Sequence, residues 1–223
     1  SAPQVTAMQR VMDGPKNSRG EQLYHGRPWD SGFKYWRPTM IGSSTTPVPN
    51  SRRGSNPSIK LVFMPPPDPD FDYLKFDFDR DPARLAGSAA ITATNSTDWQ
   101  AFRRRGGKAI VYAGIADELL NTNGVHDWYR RMVDTHGGLQ STREFVRYFH
   151  VPGMGHCRGG DALDQFDHFK ALVQWVEHGQ APAQMIATGK SFPGRSRPLC
   201  AWPQQTRYKG TGSIEAAENF VCK

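Results

Sequence analysis

The sequence predicts an α/β fold: a short parallel sheet with flanking helices, preceded by a loop-rich portion. Three observations carry this. Two apolar runs, "KAIVYAGIAD" and "EFVRYFHV", are rich in β-branched and aromatic residues, as buried strands are. Helical patterns lie between and after them, which is how parallel strands are joined. Residues 16–95 mostly lack periodicity and contain runs such as "MIGSSTTPVPNSRRGSNPS" and "MPPPDPDFD", which are turn and loop chemistry.

In chain order, residues 1–14 read as one helix. Ser1-Ala2-Pro3-Gln4 fits a capping box with proline in the first turn. Val5, Met8 and Met12 follow at helical spacing, and Gly14-Pro15 stops the helix. The next stretch carries Tyr24, Trp29, Phe33, Tyr35, Trp36, Phe63, Phe71, Tyr73, Phe76 and Phe78, an aromatic load that favours packed irregular structure, a lid or an insertion, over a disordered linker. "FDFDRDP" (Phe76 to Pro82) alternates carboxylates but lacks the glycine and terminal glutamate of an EF-hand loop, so it is a poor calcium site. "STDWQAFRRRGG" reads as a short capped helix whose Arg103, Arg104 and Arg105 suit its carboxyl end.

After the first strand, Val125, Trp128, Tyr129, Met132 and Val133 fall on one helical face. After the second, "DALDQFDHFKALVQWVEHG" reads as a helix lined by Leu163, Phe166, Phe169, Val173 and Val176 and ended by Gly179. Residues 97–179 therefore read α-β-α-β-α. Two strands are too few for a complete α/β domain, so the rest of the sheet is expected from sequence outside this chain.

The totals narrow the function. Lys and Arg outnumber Asp and Glu by 28 to 21, and the isoelectric point is near 9.5. The positive charges are scattered rather than gathered into a stripe, which argues against a nucleic-acid partner. No run of about 18 apolar residues exists, so no membrane-spanning helix is expected. The chain opens on Ser1 with a helical pattern rather than a signal peptide, and is expected to be a processed, nicked or trimmed product. Three cysteines, Cys157, Cys200 and Cys222, leave an odd thiol in an oxidising compartment.

Chemistry in open α/β sheets gathers beyond the carboxyl ends of the strands. Asp117 follows the first strand and His156 the second, so adjacent parallel strands would bring them together. An aspartate orienting a basic imidazole is two thirds of a nucleophilic triad, and acid before histidine is the α/β-hydrolase chain order. No G-x-S-x-G nucleophile elbow is present. The nearest miss, Gly189-Lys190-Ser191-Phe192-Pro193-Gly194, follows the histidine and reads as a loop. The serine is therefore expected upstream of Ser1. Each residue also has an ordinary reading: Asp117 as a cap, His156 as a turn histidine. Cys157 is a poor nucleophile, because sequence neighbours rarely align thiol and base. No spacing completes a zinc site. His25, His126, His136, His150, His168 and His178 read as structural.

The segments "KAIVYAGIAD", "FVRYFHVPGMGHCRGG", "FDHFKALVQWVEHGQAP" and "RPLCAWPQQTRYKGTGSIEAAENFVC" resemble the C-terminal part of the tannase and feruloyl esterase family. "SAPQVTAMQRVMDGPKNSRGEQLYHGRPWDSG" is similar to the later part of that family's lid, and "KFDFDRDP" and "DWQAFRRRGGK" to its return to the core. The resemblance implies the C-terminal portion of an α/β-hydrolase plus part of a lid. Residues 1–95 would be the lid portion and 96–223 the core with a disulfide-closed tail.

It further implies Asp117 as triad acid, His156 as triad base, and a Cys200–Cys222 disulfide. Cys157 would bridge to a cysteine beside the upstream serine, which would make an N-terminal segment of the same enzyme a covalent partner. A calcium ion is implied in the upstream lid, with no metal ligand or other cofactor in this chain. The function implied is serine-type hydrolysis of a small aromatic-acid ester (feruloyl, galloyl, terephthaloyl or phthaloyl), in a secreted or periplasmic protein. Leu120, Trp29, Trp36 and Phe63 are candidate substrate contacts, although core packing explains the aromatics equally well. The family commonly has Tyr-His-Gly at the end of the acid-bearing strand, where this chain has Tyr112-Ala113-Gly114, a departure that bears on the substrate and not on the triad. A non-catalytic secreted module that binds carbohydrate or polyphenol is the alternative.

Overall fold

A computed structural model describes residues 1–30, 32, 36–48 and 57–223. Phe33 and Tyr35, counted above among the aromatics, lie outside the described residues. The chain divides into two compact units, Ser1–Pro28 with Lys34–Ser96, and Trp29–Phe33 with Thr97–Lys223.

The first unit opens with α1, Ala2–Asp13. The Ser1 nitrogen donates to Gln4 Oε1 at 2.8 Å, the reciprocal arm of the expected box, and Gly14 closes the helix at φ 80°. Met12 is buried while Val5 is exposed, so only part of the apolar stripe packs within the unit. Two π-helical turns, Arg37–Ile41 and Ile59–Phe63, and a 3-10 turn, Tyr73–Lys75, follow. Two short helices, α2 (Asp81–Arg84) and α3 (Ala86–Thr92), occupy a stretch read above as irregular. They escape periodicity because four and seven residues are too few to show a stripe.

Within "FDFDRDP" the carboxylates serve the backbone. Asp81 Oδ2 accepts from Asp77 N at 2.8 Å, Asp77 Oδ1 from Asp79 N at 2.9 Å, and Asp79 Oδ1 from Ser18 N at 3.1 Å.

The second unit contains α4 (Gln100–Arg104), β1 (Ala109–Gly114), α5 (Thr122–Thr135), α6 (Leu139–Arg143), β2 (Val146–Val151) and α7 (His168–His178). Four short strands complete it: β3 (Gln184–Ala187), β4 (Arg197–Cys200), β5 (Thr206–Tyr208) and β6 (Phe220–Cys222). β1 and β2 pair in parallel from Ala109↔Val146 to Gly114↔Val151. Both strands were anticipated. β1 is nonetheless mostly half-buried, since among the described residues β2 is its only sheet partner.

Alternation along β2 sends side chains to two cores. Val146 and Tyr148 pack with Tyr129 and Met132 of α5, and with Trp128 and Trp99 at the edge. Phe149 and Val151 pack with Met154, Met185, Ala187 and Leu199. Fully burying each such side chain contributes about 1.5–3 kcal/mol. Burial pushes the Tyr129 phenol up to about 12, and its hydroxyl donates to Val146 O at 3.2 Å.

Two expectations for the later helices need correcting. α6 was not anticipated. α7 begins at His168, not at Asp161: Asp167 caps it, accepting from Lys170 N at 2.8 Å. Leu163 and Phe166 precede the helix in a loop pinned by the Gln165–Thr188 backbone pair. The expected stripe merged that loop with the helix and so took the wrong phase. Trp175 is the buried residue of α7, while Phe169 and Val176 are exposed. The Cys200–Cys222 disulfide joins β4 to β6 and closes the tail as expected. A loop of this size contributes about 3 kcal/mol by chain entropy. Among the described residues no helix is long and apolar enough to cross a membrane.

Candidate active site

β1 ends at Gly114 and β2 at Val151, and the turns beyond them are bonded backbone to backbone. Ile115 N donates to Val151 O at 3.0 Å and Ala116 N to Met154 O at 3.1 Å. Gly114 permits this approach: a Cβ there would stand 2.3 Å from Met154 O and 2.7 Å from Gly155 O. The loop carrying His156 folds back on itself through a Met154–Gly160 bridge. There Gly160 takes φ 90° with no room for a side chain, since a Cβ would meet Gly153 O at 2.1 Å.

The welded turns bring together the two residues that sequence singled out. His156 Nδ1 lies 3.1 Å from Asp117 Oδ2. The other carboxylate oxygen, Asp117 Oδ1, accepts from Leu119 N and Leu120 N, each at 2.8 Å. Asp117 is buried, whereas the His156 side chain keeps 35% of its exposure. The carboxylate is thus fixed by two backbone donors and faces one imidazole nitrogen. With Nδ1 so engaged, Nε2 is the nitrogen left to exchange a proton with a bound molecule.

Two carboxylates that sequence reasoning missed hold the histidine loop. Glu118 Oε2 accepts from His156 N at 3.3 Å. Asp30 Oδ2 accepts from Gly153 N at 3.2 Å, and its Oδ1 from Gly32 N at 2.8 Å. The second bond closes an Asx turn, which the Asp-x-Gly pattern could have signalled. Nothing in the sequence foretold the contact across 123 positions.

The remaining candidates are placed as follows. Leu120 and Trp29 are both exposed; Leu120 adjoins the Asp117 turn and Trp29 precedes Asp30. Trp36 and Phe63 belong to the first unit. There Trp36 is buried with the Arg27 guanidinium 5.3 Å from its ring centre, and Phe63 is exposed. Ala113 packs half-buried against the α5 core. Ser191 donates to Gly160 O at 2.7 Å, so its hydroxyl serves the loop. Cys157 is exposed, has no disulfide partner among the described residues, holds φ 62°, and lines a concavity of about 490 Å³ with Tyr112, Phe166 and His168. Among the described residues no three or more His, Cys, Asp or Glu side chains gather to hold a metal ion.

A family model described as "Tannase and feruloyl esterase" matches residues 1–223. Mono(2-hydroxyethyl) terephthalate hydrolase of Piscinibacter sakaiensis is 37% identical, over 100% of this chain and 42% of its own length. A probable feruloyl esterase B-2 of Neosartorya fischeri is 30% identical, over 69% of this chain and 33% of its own. The crystal structure of feruloyl esterase B from Aspergillus oryzae superposes with a TM-score of 0.79 at 22% identity, covering 100% of this chain and 46% of that one. The chain thus spans less than half the length of these relatives. The shared fold is α/β-hydrolase-like, with the parallel pair β1–β2 as its sheet in this chain. With the whole of it matched, the chain belongs to the tannase and feruloyl esterase family.

Proposed function

We propose that the full-length protein is a serine carboxylic ester hydrolase acting on aromatic-acid esters of the feruloyl, galloyl, terephthaloyl or phthaloyl type, to which this chain contributes the acid and the base. The observation that carries the reading is the Asp117–His156 pair, 3.1 Å apart, with the second carboxylate oxygen held by two backbone donors. Two family members supply the substrate class: the relatives named as a terephthalate monoester hydrolase and as a probable feruloyl esterase.

In this reading the nucleophilic serine lies on a segment upstream of Ser1. Its hydroxyl attacks the ester carbonyl while His156 Nε2 takes the proton. Asp117 holds the imidazole tautomer and stabilises the imidazolium. As the tetrahedral intermediate collapses, the proton passes to the leaving alcohol, leaving an acyl-enzyme. Water, deprotonated by the same nitrogen, then releases the aromatic acid. Residues 96–223 form the later part of the hydrolase core and 1–95 part of a lid. Trp29 and Leu120 offer exposed apolar surface to the acyl group, while Trp36 packs within the lid.

Cys157 bridges to a cysteine beside the serine and preorganises base against nucleophile. Its exposure and its left-handed backbone, costly for a non-glycine residue, support that role. Such a bridge fits a secreted or periplasmic protein. The calcium implied by the resemblance finds no ligand set among the described residues and enters no step here.

The test is turnover of methyl ferulate and methyl gallate by the full-length protein. Hydrolysis that disappears in His156→Ala is expected, and this chain alone should hydrolyse neither ester. Binding of a polyphenol without turnover would favour the non-catalytic module instead.

A further inference from the structure

At the end of the β1–β2 sheet opposite Asp117 and His156, three cations converge. Lys108 leads into β1, Arg147 is the second residue of β2, and Arg143 ends α6. With Gln140, Glu144 and Trp175 they line a concavity of about 680 Å³. Lys108 Nζ and the Arg147 guanidinium each stand 5.6 Å from the centre of the Trp175 ring, which holds both cations in place.

Among the described residues negative charge is missing there. The Nε atoms of Arg143 and Arg147 are sealed from solvent and have no hydrogen-bond partner among the described residues. Glu144, the only carboxylate among the described residues of the lining, is committed to Arg103 at 2.7 Å, and its backbone oxygen accepts from Lys108 Nζ at 2.8 Å. Burial lowers the Arg147 pKa, the neighbouring Arg143 lowers it further, and only the Tyr129 phenol works the other way. Two half-buried guanidiniums that repel one another are costly unless an anion sits between them.

We propose that this concavity is a binding site for a small oxyanion, a phosphate or a carboxylate, gripped by the terminal guanidinium nitrogens of Arg143 and Arg147 with Lys108 supplying a third positive charge. The guanidinium fork matches two oxygens of either group. The site is distinct from the catalytic pair: six strand residues separate them, a span of about 20 Å.

Isothermal titration of the full-length protein with inorganic phosphate, and separately with benzoate, tests this and tells the two anion sources apart. Saturable one-to-one binding of either is expected, weaker at higher salt. The Arg143→Gln/Arg147→Gln double variant should lose about tenfold or more in affinity. Gln140→Glu, on an exposed lining residue, should also abolish binding by supplying an internal counter-charge, without depending on how the double variant folds. Three results would overturn the site: no saturable binding of either anion, affinity indifferent to both sets of substitutions, or a full-length structure in which another segment's carboxylate fills the concavity.

Discussion

The two ends of one short sheet are built on opposite principles. At the carboxyl end every polar group named in the Asp117–His156 constellation except His156 Nε2 has a partner, and the turns are bonded to each other through backbone. At the amino end, among the described residues, cations outnumber counter-charges and two guanidinium nitrogens have no partner. The first end is saturated except for one imidazole nitrogen, which is what a proton-transfer device needs. The second is unsaturated, which is what a binding site needs. Both follow from strand polarity: parallel strands put one set of loops at each end, and the residue types at each end decide the chemistry.

The largest effects test the saturated end. Asp117→Asn and His156→Ala in the full-length protein should each cost on the order of 10⁴ in kcat for an aromatic methyl ester, by analogy with other triads, with KM little changed. A rise in KM with kcat unchanged would make the pair a binding element rather than a catalytic one.

His150, within β2, shows what an imidazole does without a carboxylate. It stacks near His126, with ring centres 5.4 Å apart, and its Nε2 is buried without a partner among the described residues. Burial, then the neighbouring His126, pushes it down to about 4. His126 is itself lowered by burial and by Arg130, against Asp127. The unfolded chain therefore takes up protons first. The stability from burying His150 neutral is fully present above about pH 6.5 and falls away as the pH drops toward about 4, by about 3 kcal/mol. Urea midpoints measured across that range should show the slope, and His150→Gln should flatten it.

Next comes Gly114→Ala. A methyl group there displaces the Met154–Gly155 backbone, and with it His156, and about 100-fold in kcat should go while the fold persists. Asp30→Ala, which frees the Gly153 amide but touches neither partner of the pair, should cost only about tenfold, in kcat rather than KM. If Asp30→Ala cost as much as Asp117→Asn, Asp30 would have a role beyond positioning the loop.

Much of the saturated end was legible in sequence, for physical reasons. β1 and β2 are short runs of apolar, β-branched and aromatic residues, and Asp117 and His156 stand where loops leave their carboxyl ends. The glycines that let these loops meet were visible, but their partners were not: Gly114 is defined by a carbonyl forty residues away. α7 misled because Asp167 caps it while upstream Leu163 and Phe166 mimic the continuation of its stripe. The cation site was illegible. Lys108, Arg143 and Arg147 are spread along the chain, and only the β1–β2 register and the ring of Trp175 gather them.

The central claim, that Asp117 and His156 activate a serine outside this chain, is tested most directly by locating that serine. The full-length protein would be treated with a fluorophosphonate and the labelled peptide identified by mass spectrometry. One labelled serine upstream of Ser1 is predicted, with labelling lost in His156→Ala. A label on a serine within residues 1–223, such as Ser191, or labelling indifferent to His156→Ala, would contradict it.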